Sequence, residues 1–365
     1  MDINTNAAPP EYTTPPAYAI TPKEQVKKCY NRACMAMLFQ FLIANAVAII
    51  ASIVYSSILT AQAMAEGLSD YTALTNRVTE LMNPAVTIAL NAIAFLIANP
   101  LAYFIGNVMT KKYYRAKPFG GIKLPAADCV LAVLAVIGLQ GFSLLVQYGL
   151  VAITGISAID EATAQMMSFS DDIVKNVILV IYTVIIAAAT EELLCRGLVL
   201  KLFSPVSKKF AVIASAVLFG VMHGNFGQMF NGFLLGLVMG YVAVKSKSLW
   251  LPIICHMAAN TNAMVLGYFE YKNGEDFITT ELIYSAVLVV VAIISIALLI
   301  KRNGKIDEEN DGYPVEQALE VPEEEKPDSK GTLLVKTPCF WIFIVIYLIS
   351  SLVAILPQIL AKISV

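Results

Sequence analysis

The sequence predicts an all-α protein, a polytopic transmembrane helical bundle of about eight or nine spans. Of its 365 residues, 58% are hydrophobic and only 14% are charged, whereas a soluble domain is about half apolar and about a quarter charged. Most of the apolar residues lie in runs of about 20, the length that an α-helix needs to cross the hydrocarbon core of a bilayer. We therefore expect the chain to be embedded in a lipid bilayer.

Nine apolar segments are candidate spans, because a backbone in lipid has to satisfy its polar groups within its own helix. They are residues 34–59, 84–108, 126–152, 173–195, 210–224, 227–244, 249–268, 282–300 and 339–362. The fifth and sixth segments are short and are joined only by residues 224–227, so they could form a tight hairpin or a partly re-entrant pair. The sequence has no internal repeat, and nine spans do not divide into the two equal halves that many transporters have.

The spans and the segments between them divide the chain into five parts. These are a disordered cytoplasmic tail at 1–33, N-terminal transmembrane helices at 34–172, a helical core at 173–300, an acidic cytoplasmic linker at 301–338 and an accessory C-terminal helix at 339–365. Residues 303–330 carry ten Asp and Glu side chains against three Lys, so we expect this stretch to be disordered. The first apolar run is too long for a signal sequence, so no cleavable signal peptide is expected.

The Lys and Arg residues of the short loops predict that the N-terminus is cytoplasmic. Basic loops alternate along the chain with loops that are neutral or acidic. The loop between the first two spans, residues 60–83, holds only Arg77, whereas the stretch before the first span holds Lys23, Lys27, Lys28 and Arg32. We therefore expect a multi-pass membrane protein whose acidic linker also lies in the cytoplasm.

The composition argues against two other classes of protein. The net charge is −2, and the basic residues lie beside apolar runs and not on one broad face, so the chain is not expected to bind nucleic acid. The cysteines have no paired CxxC spacing, so we expect them to pack as small hydrophobic side chains and not to form disulfides or a zinc knuckle. They are Cys29, Cys34, Cys129, Cys195, Cys255 and Cys339.

Ionisable side chains are costly inside a span, so those that occur there mark a candidate site. Asp128 and Lys175 lie at the mouths of the third and fourth spans, where each side chain can reach the interface. The other ionisable residues of the spans lie close together in the sequence, and they are Glu191, Glu192, Arg196, His223 and His256. They include both histidines of the chain, so they form a dense acid–base set.

The first group of this set is Glu-Glu-x-x-x-Arg. Glu192 and Arg196 are four residues apart, so they share a helical face at ion-pair distance. Glu191 points about 100° away from that pair, which leaves it free to face a cavity and to take a proton from water. The alternative is that all three side chains extend to the cytoplasmic interface at the membrane boundary.

Two further pairs also have helical spacing. Phe219 and His223 are four residues apart, as are His256 and Asn260. A histidine and an amide directed at one point can ligate a metal, orient water or stabilise an oxyanion, whereas the structural alternative is a hydrogen bond between helices. His223 lies roughly 20 Å along the fifth span and His256 about 10 Å along the seventh. For the two to meet, the fifth span has to begin well inside the cytoplasm or tilt strongly.

The three motifs, at 191–196, 219–223 and 256–260, together resemble the CPBP intramembrane protease family. That family includes the CAAX prenyl endopeptidases and bacterial proteins of the bacteriocin self-immunity type. The resemblance covers residues 175–268, about a quarter of the chain. It implies a membrane-embedded CAAX-type protease, a hydrolase of the glutamic type or a metalloprotease, that performs intramembrane proteolysis in a bacterial cell membrane.

The resemblance also implies a role for each motif residue. Glu191 activates water, and His223 assists as a ligand or proton partner. His256 and Asn260 stabilise the tetrahedral oxyanion. The supporting residues are Glu192, Arg196 and Phe219.

Two chemistries fit these residues. Glu191, His223 and His256 can form an open site for a divalent metal such as zinc, with water as the fourth ligand. A metal-free mechanism fits equally well, with a glutamate base and with histidine and asparagine as electrophiles. The sequence motifs of serine, HExxH zinc and aspartate proteases of membranes do not occur in the chain.

The expected function is hydrolysis of a peptide bond in a membrane-associated or prenylated peptide or protein. One alternative is a non-proteolytic immunity or scaffold protein that binds a peptide in the same cavity. That alternative predicts that Glu191→Gln leaves function intact. Another is a proton-coupled transporter that uses the intramembrane glutamate and histidines as a relay.

Overall fold

The computed structural model describes residues 22–111, 114–121, 124–156, 168–317 and 330–363. Within them the chain forms helices α1 (Pro22–Ala65), α2 (Tyr71–Leu81), α3 (Pro84–Thr110), α4 (Ala126–Thr154), α5 (Ile173–Phe203), α6 (Lys208–Val221), α7 (Phe226–Ser246), α8 (Trp250–Asn273), α9 (Ile278–Asn303), α10 (Lys330–Val335) and α11 (Pro338–Ile363). Two very short strands, β1 (Arg115–Ala116) and β2 (Val315–Gln317), pair antiparallel. The prediction of an all-α polytopic bundle is confirmed.

Each of the nine predicted spans lies on a helix. In the described part of the chain, six helices are long and apolar enough to cross a bilayer, namely α1, α3, α4, α5, α7 and α9. The last helix, α11, is apolar over a shorter stretch, Pro338–Val353. The other two predicted spans are outside this group because α6 has only 14 residues and α8 carries His256 and several amide and hydroxyl side chains in its middle.

The fifth and sixth predicted spans form a hairpin, α6 and α7, which is one of the two expected arrangements. The turn between them includes Gly224 at φ +68°, in the left-handed region that favours glycine. The two helices pack with backbones in contact, since a Cβ on Gly220 would lie 2.5 Å from the carbonyl oxygen of Met229. His223 therefore lies at the tip of a tightly packed hairpin.

The first part of the acidic linker is ordered, in contrast to the prediction of disorder. Residues 304–317, which we call the strap, cross the end of the bundle where α6 begins and α7 ends. Glu308 accepts hydrogen bonds from the backbone N of Lys208 (2.6 Å) and from Ser207 Oγ (2.8 Å). Asp311 forms an ion pair with Lys245 at 2.7 Å. The acidic side chains thus have partners on other elements, which the charge count alone does not show.

The strap is held by backbone contacts as well. Strand β2 belongs to it and pairs with β1 in the connection between α3 and α4. The backbone N of Gly312 donates to the carbonyl of Val244 (2.9 Å), and the side chain of Tyr313, also in the strap, is buried. Linker residues 318–329 and residues 1–21 of the predicted N-terminal tail lie outside the described residues. Residues 22–33 of that tail are helical and belong to α1, in contrast to the predicted disorder, because Val26, Cys29 and Tyr30 are buried.

The two ionisable residues at span mouths have partners at the bundle ends. Asp128 is buried and paired with Arg302 of α9. Lys175 is buried and donates from Nζ to the backbone carbonyl of Ser168 (2.6 Å). Both contacts join neighbouring segments, so we assign both residues a structural role.

Candidate active site

The helix that carries the first motif, α5, is not a regular α-helix. Its segments Ile181–Ala187 and Cys195–Leu200 are π-helical, and they flank the α-helical turn Ala188–Leu194. Such wider turns are rare and often accompany functional sites, because they turn side chains away from their regular positions. Glu191 and Glu192 lie in the turn between them.

Glu192 and Arg196 form the predicted ion pair. Arg196 Nη1 lies 2.7 Å from Glu192 Oε1, and neither side chain is exposed. Arg196 also donates from Nη2 to the carbonyl of Gly236 (3.3 Å), and its guanidinium lies 4.3 Å from the centre of the Phe219 ring. Arg196 thereby connects α5 with both helices of the hairpin, through the hydrogen bond to α7 and the cation–π contact with α6.

His256 lies between the two glutamates. Its Nδ1 is 3.0 Å from Glu192 Oε1, and its Nε2 is 3.9 Å from Glu191 Oε2. A histidine whose Nδ1–H donates to a carboxylate is fixed in orientation and keeps its other nitrogen for chemistry. Glu192 therefore does more than neutralise Arg196, because it also orients His256 toward Glu191.

Glu191 is separated from the ion pair, as the helical spacing predicts. It is only 6% exposed, and its carboxylate faces His256 at a distance beyond a hydrogen bond. A buried carboxylate near a histidine is a suitable base for a bound water molecule.

His223 and His256 meet at Phe219. The Phe219 ring is perpendicular to both imidazoles, with centroid distances of 5.1 Å to His223 and 5.6 Å to His256. His223 Nδ1 lies 2.8 Å from the carbonyl oxygen of Phe219, so Nδ1–H donates, and Nε2 of the neutral imidazole is an acceptor. The second and third motifs are thus brought to the same place.

This convergence resolves the difference in depth that the sequence indicates. Since both imidazoles contact one ring, α6 begins roughly 10 Å further from that ring than α8 does. At the start of α6, the backbone N of Lys208 donates to Glu308 of the strap. Just before α8, the backbone N of Leu249 donates to the carbonyl of Pro118 in the α3–α4 connection (2.8 Å). The extra length of α6 is therefore covered by polar residues of the strap.

Asn260 makes an interhelical hydrogen bond. Its Nδ2 donates to the carbonyl of Thr183 (2.7 Å), in the first π-helical segment of α5. Such a hydrogen bond between helices is the structural alternative to a catalytic role for Asn260. An amide nitrogen has two protons, so one remains for another acceptor.

The geometry does not fit a metal site. Among the residues that the structure describes, no group of three His, Cys, Asp or Glu side chains is arranged to hold a metal ion. The predicted set of Glu191, His223 and His256 does not form such a group in this arrangement, and we derive no step through a metal.

Two residues near the site are not predicted by the motifs. Asn99 of α3 is fully buried and donates to Thr190 Oγ1 (2.9 Å), next to Glu191. Its signal in the sequence is an amide inside an apolar span. Tyr347 of α11 contacts the tip of the hairpin, and its signal is weaker, since an isolated tyrosine in an apolar helix is common at membrane interfaces.

The cysteines behave as packing residues. All six are free thiols. Cys195, next to Arg196, lies with its Sγ 3.7 Å from Met222 Sδ and is buried. Cys255, next to His256, is also buried.

Comparisons with known proteins agree with the motifs. The model of the family "Type II CAAX prenyl endopeptidase Rce1-like" matches residues 173–262. The chain is 23% identical over 104 residues to "Putative membrane peptidase YdiL" of Bacillus subtilis (strain 168), which covers 28% of this chain and 43% of that protein. It is 29% identical over 106 residues to "Uncharacterized 24.3 kDa protein" of Escherichia coli, which covers 27% of this chain and 49% of that protein.

The chain thus spans about half the length of these curated relatives. No solved structure matches it. The matched segment contains all three motifs. Residues 173–262 therefore carry an Rce1-like type II CAAX prenyl endopeptidase domain, as the order of the three motifs indicates.

Proposed function

We propose that the protein is an intramembrane endopeptidase in which Glu191 activates the attacking water. The observation that carries this proposal is the buried arrangement of Glu191, His256 and Glu192, with His256 Nε2 3.9 Å from Glu191 and His256 Nδ1 held by Glu192. A base and an oriented histidine on separate helices, in a water-poor site, are the groups that peptide hydrolysis needs.

The proposed reaction begins with water bound beside Glu191. The Glu191 carboxylate takes one proton from the water, and the water oxygen attacks the scissile carbonyl carbon. The negative charge moves to the carbonyl oxygen, where the remaining amide proton of Asn260 stabilises it together with His256 in its doubly protonated form, which donates from Nε2–H while Nδ1–H stays bonded to Glu192. Glu191 then gives its proton to the leaving nitrogen as the C–N bond breaks, so the carboxylate is regenerated.

The other residues of the site would position these groups. Arg196 holds Glu192, and Glu192 holds His256. The hydrogen bond between His223 Nδ1 and the Phe219 carbonyl leaves His223 Nε2 as an acceptor for substrate or water. The substrate we propose is a peptide or protein in the membrane, with a prenylated substrate as the specific class to test.

We also propose that the end of the bundle under the strap faces the cytoplasm. Basic side chains collect there, as the rule for cytoplasmic loops requires. Arg32 donates to the carbonyl of Met109 (2.7 Å), Lys201 donates to Asn107, and Lys245 pairs with Asp311. Fusing a cytoplasmic reporter to the N-terminus tests this orientation.

The function is tested by cleavage of quenched fluorogenic peptides, farnesylated and plain, in proteoliposomes. Wild type is expected to cleave at least one class and Glu191→Gln to cleave none, with Glu270→Gln as an exposed control. A chelator arm separates the two chemistries, since loss of wild-type cleavage would favour a metal. Proteolysis would be contradicted if the wild type cleaves no peptide while Glu191→Gln still protects cells fully, as an immunity protein does. That result would favour the peptide-binding alternative.

A further inference from the structure

A cavity of about 450 Å³ lies between the start of α1 and the start of α11, at the end of the bundle that carries the strap. Its lining residues on α1 are Glu24, Lys27, Lys28 and Asn31, and the opposite wall is formed by residues 337–339. Both α10 and α11 pack on α1. None of these residues belongs to the three motifs, so the cavity is separate from the candidate active site.

The charge of this cavity is positive. Lys27 is exposed and Lys28 is half-buried, and in the described part of the chain neither ammonium group has a hydrogen bond or an ion pair. Glu24 is the one acidic residue of α1, and α10 and α11 have none. Lys23 and Lys336 directly precede lining residues and add positive charge beside the cavity. Cations without a partner in a cavity favour an anionic ligand.

The cavity lies where the apolar part of the bundle begins. Directly beyond it, residues 33–44 of α1 are uncharged and Pro338–Val353 of α11 is apolar. Trp341 is 51% exposed and donates from its indole nitrogen to the carbonyl of Val335 (2.7 Å), and tryptophan is enriched at the membrane–water interface. The exposed Ile342 continues the apolar surface along α11. A group bound in the cavity therefore lies beside lipid, at the depth of the headgroups.

We propose that this cavity binds the headgroup phosphate of an anionic phospholipid, with Lys27 and Lys28 as the cationic partners. Lysines near the membrane surface attract anionic lipids, and basic pockets between membrane helices hold their headgroups. The N-terminus of α11 at Pro338 adds partial positive charge to that of the lysines. The bound lipid connects α1 with α11. This inference does not depend on the peptidase function, since no residue of the candidate active site lines the cavity.

The test measures Tm of the purified full-length protein in detergent while phosphatidylglycerol is added, with phosphatidylcholine of the same acyl chains as the uncharged comparison. A ligand of the folded state raises Tm, so we expect a rise with phosphatidylglycerol alone. In Lys27→Gln/Lys28→Gln the apparent Kd for phosphatidylglycerol should increase at least about tenfold. The matched control Lys209→Gln/Lys301→Gln removes two exposed lysines at the same end of the bundle and should keep the wild-type Kd.

Two results of this titration would overturn the proposal. Equal Kd values for the two double variants would show that the whole basic surface, and not the cavity, attracts the lipid. An equal rise of Tm with inorganic phosphate would identify a site for free anions and exclude the lipid as the specific ligand.

A second readout needs no substitution at the lysines, so it holds even if the cavity variant does not fold. Cys339 lines the cavity and is partly accessible, and Cys129, which is equally classed in accessibility, lines a different groove between α4 and α8. Alkylation of both thiols in the wild type is followed by mass spectrometry. Phosphatidylglycerol should slow alkylation of Cys339 and leave that of Cys129 unchanged. An unchanged rate at Cys339 would contradict the proposed site.

Discussion

At the scale of the residue, Glu192 is the side chain that joins the first and third motifs. One of its oxygens, Oε1, accepts from Arg196 at 2.7 Å and from His256 at 3.0 Å. Its other oxygen, Oε2, is buried with no hydrogen-bond partner among the described residues. The sequence predicts the contact with Arg196, because helical spacing fixes it. The contact with His256 joins residues 64 positions apart, and only the packing of α8 on α5 determines it.

Replacing Glu192 should therefore affect stability and activity together. Glu192→Gln removes a charge from a fully buried pair and leaves Arg196 uncompensated, which typically costs about 3–5 kcal/mol. We expect a clear fall in Tm in detergent and a loss of activity. The matched control is Glu80→Gln, whose side chain is 66% exposed and pairs with Arg77, and which should change stability by less than about 0.5 kcal/mol. Equal Tm values for the two variants would contradict this role of Glu192.

At the scale of the element, the hairpin of α6 and α7 depends on close contact between the two helices. Gly236 is the clearest example, because a Cβ there would lie 2.9 Å from the Cα of Ala216 and 3.2 Å from Arg196 Nη2. The first atom belongs to the backbone and cannot move without separating the helices. A larger residue at 236 would therefore disturb both the hairpin and the position of Arg196.

We expect Gly236→Ala to destabilise the protein by about 1–3 kcal/mol, as overpacking usually does, and to lower activity. Gly149→Ala in α4 is a matched control, because no atom lies within 4 Å of the new Cβ. That change should be neutral or slightly stabilising, since alanine has the higher helix propensity. Thermal unfolding of both variants checks the prediction, and a stable Gly236→Ala protein would show that the helices can separate at little cost.

The strap is a second element whose contacts can be tested. The ion pair of Asp311 and Lys245 is only 13% and 9% exposed, so it is screened less than a surface pair. Asp311→Ala should allow the strap to open more often, so a protease should cut it at least about tenfold faster. A tenfold change corresponds to a loss of about 1.4 kcal/mol in the free energy of opening. Glu309→Ala, at an exposed neighbouring position, should be cut at the wild-type rate. Equal rates for the two variants would mean that the pair does not hold the strap.

Acid should open the strap as well. Hydrogen bonds from the Asn310 side chain and from the backbone N of Glu309 and Asn310 lower the pKa of Asp307 from 3.8 to about 2. Because the pKa is lower in the folded state, this carboxylate stabilises the strap above about pH 4, and the contribution is lost as the pH falls toward 2. Protection from an acid-stable protease should therefore be constant from pH 7 to pH 5 and decline below about pH 4. In Asp307→Asn the decline should be smaller, and an identical pH profile would contradict the assignment.

At the scale of the whole molecule, the sequence predicts the helices better than it predicts what joins them. All nine apolar segments are helical, because in lipid only a helix satisfies the backbone of a single segment. The strap is not predicted, since its acidic residues find partners such as Lys245 and Ser207 on distant elements. The same reason explains why Asn99 and Tyr347 are missed, as each approaches the site from a helix that carries no motif.

The predicted site is a similar case. The motifs indicate which side chains carry acid–base chemistry, and helical spacing separates Glu191 from the pair of Glu192 and Arg196. The position of each histidine along its own helix does not indicate how the two imidazoles come together. The fold supplies that information through Phe219, which both imidazoles contact.

The most direct test of the central claim compares Glu191→Gln with wild type on a single cleaved peptide at equal protein stability. Since no ion pair of Glu191 in the described part of the chain is within hydrogen-bond distance, the substitution should leave Tm within about 2 °C of wild type. We expect kcat to fall by at least about 10²-fold, the usual contribution of a general base. A Glu191→Gln protein that cleaves the peptide at the rate of the exposed control Glu270→Gln would contradict it.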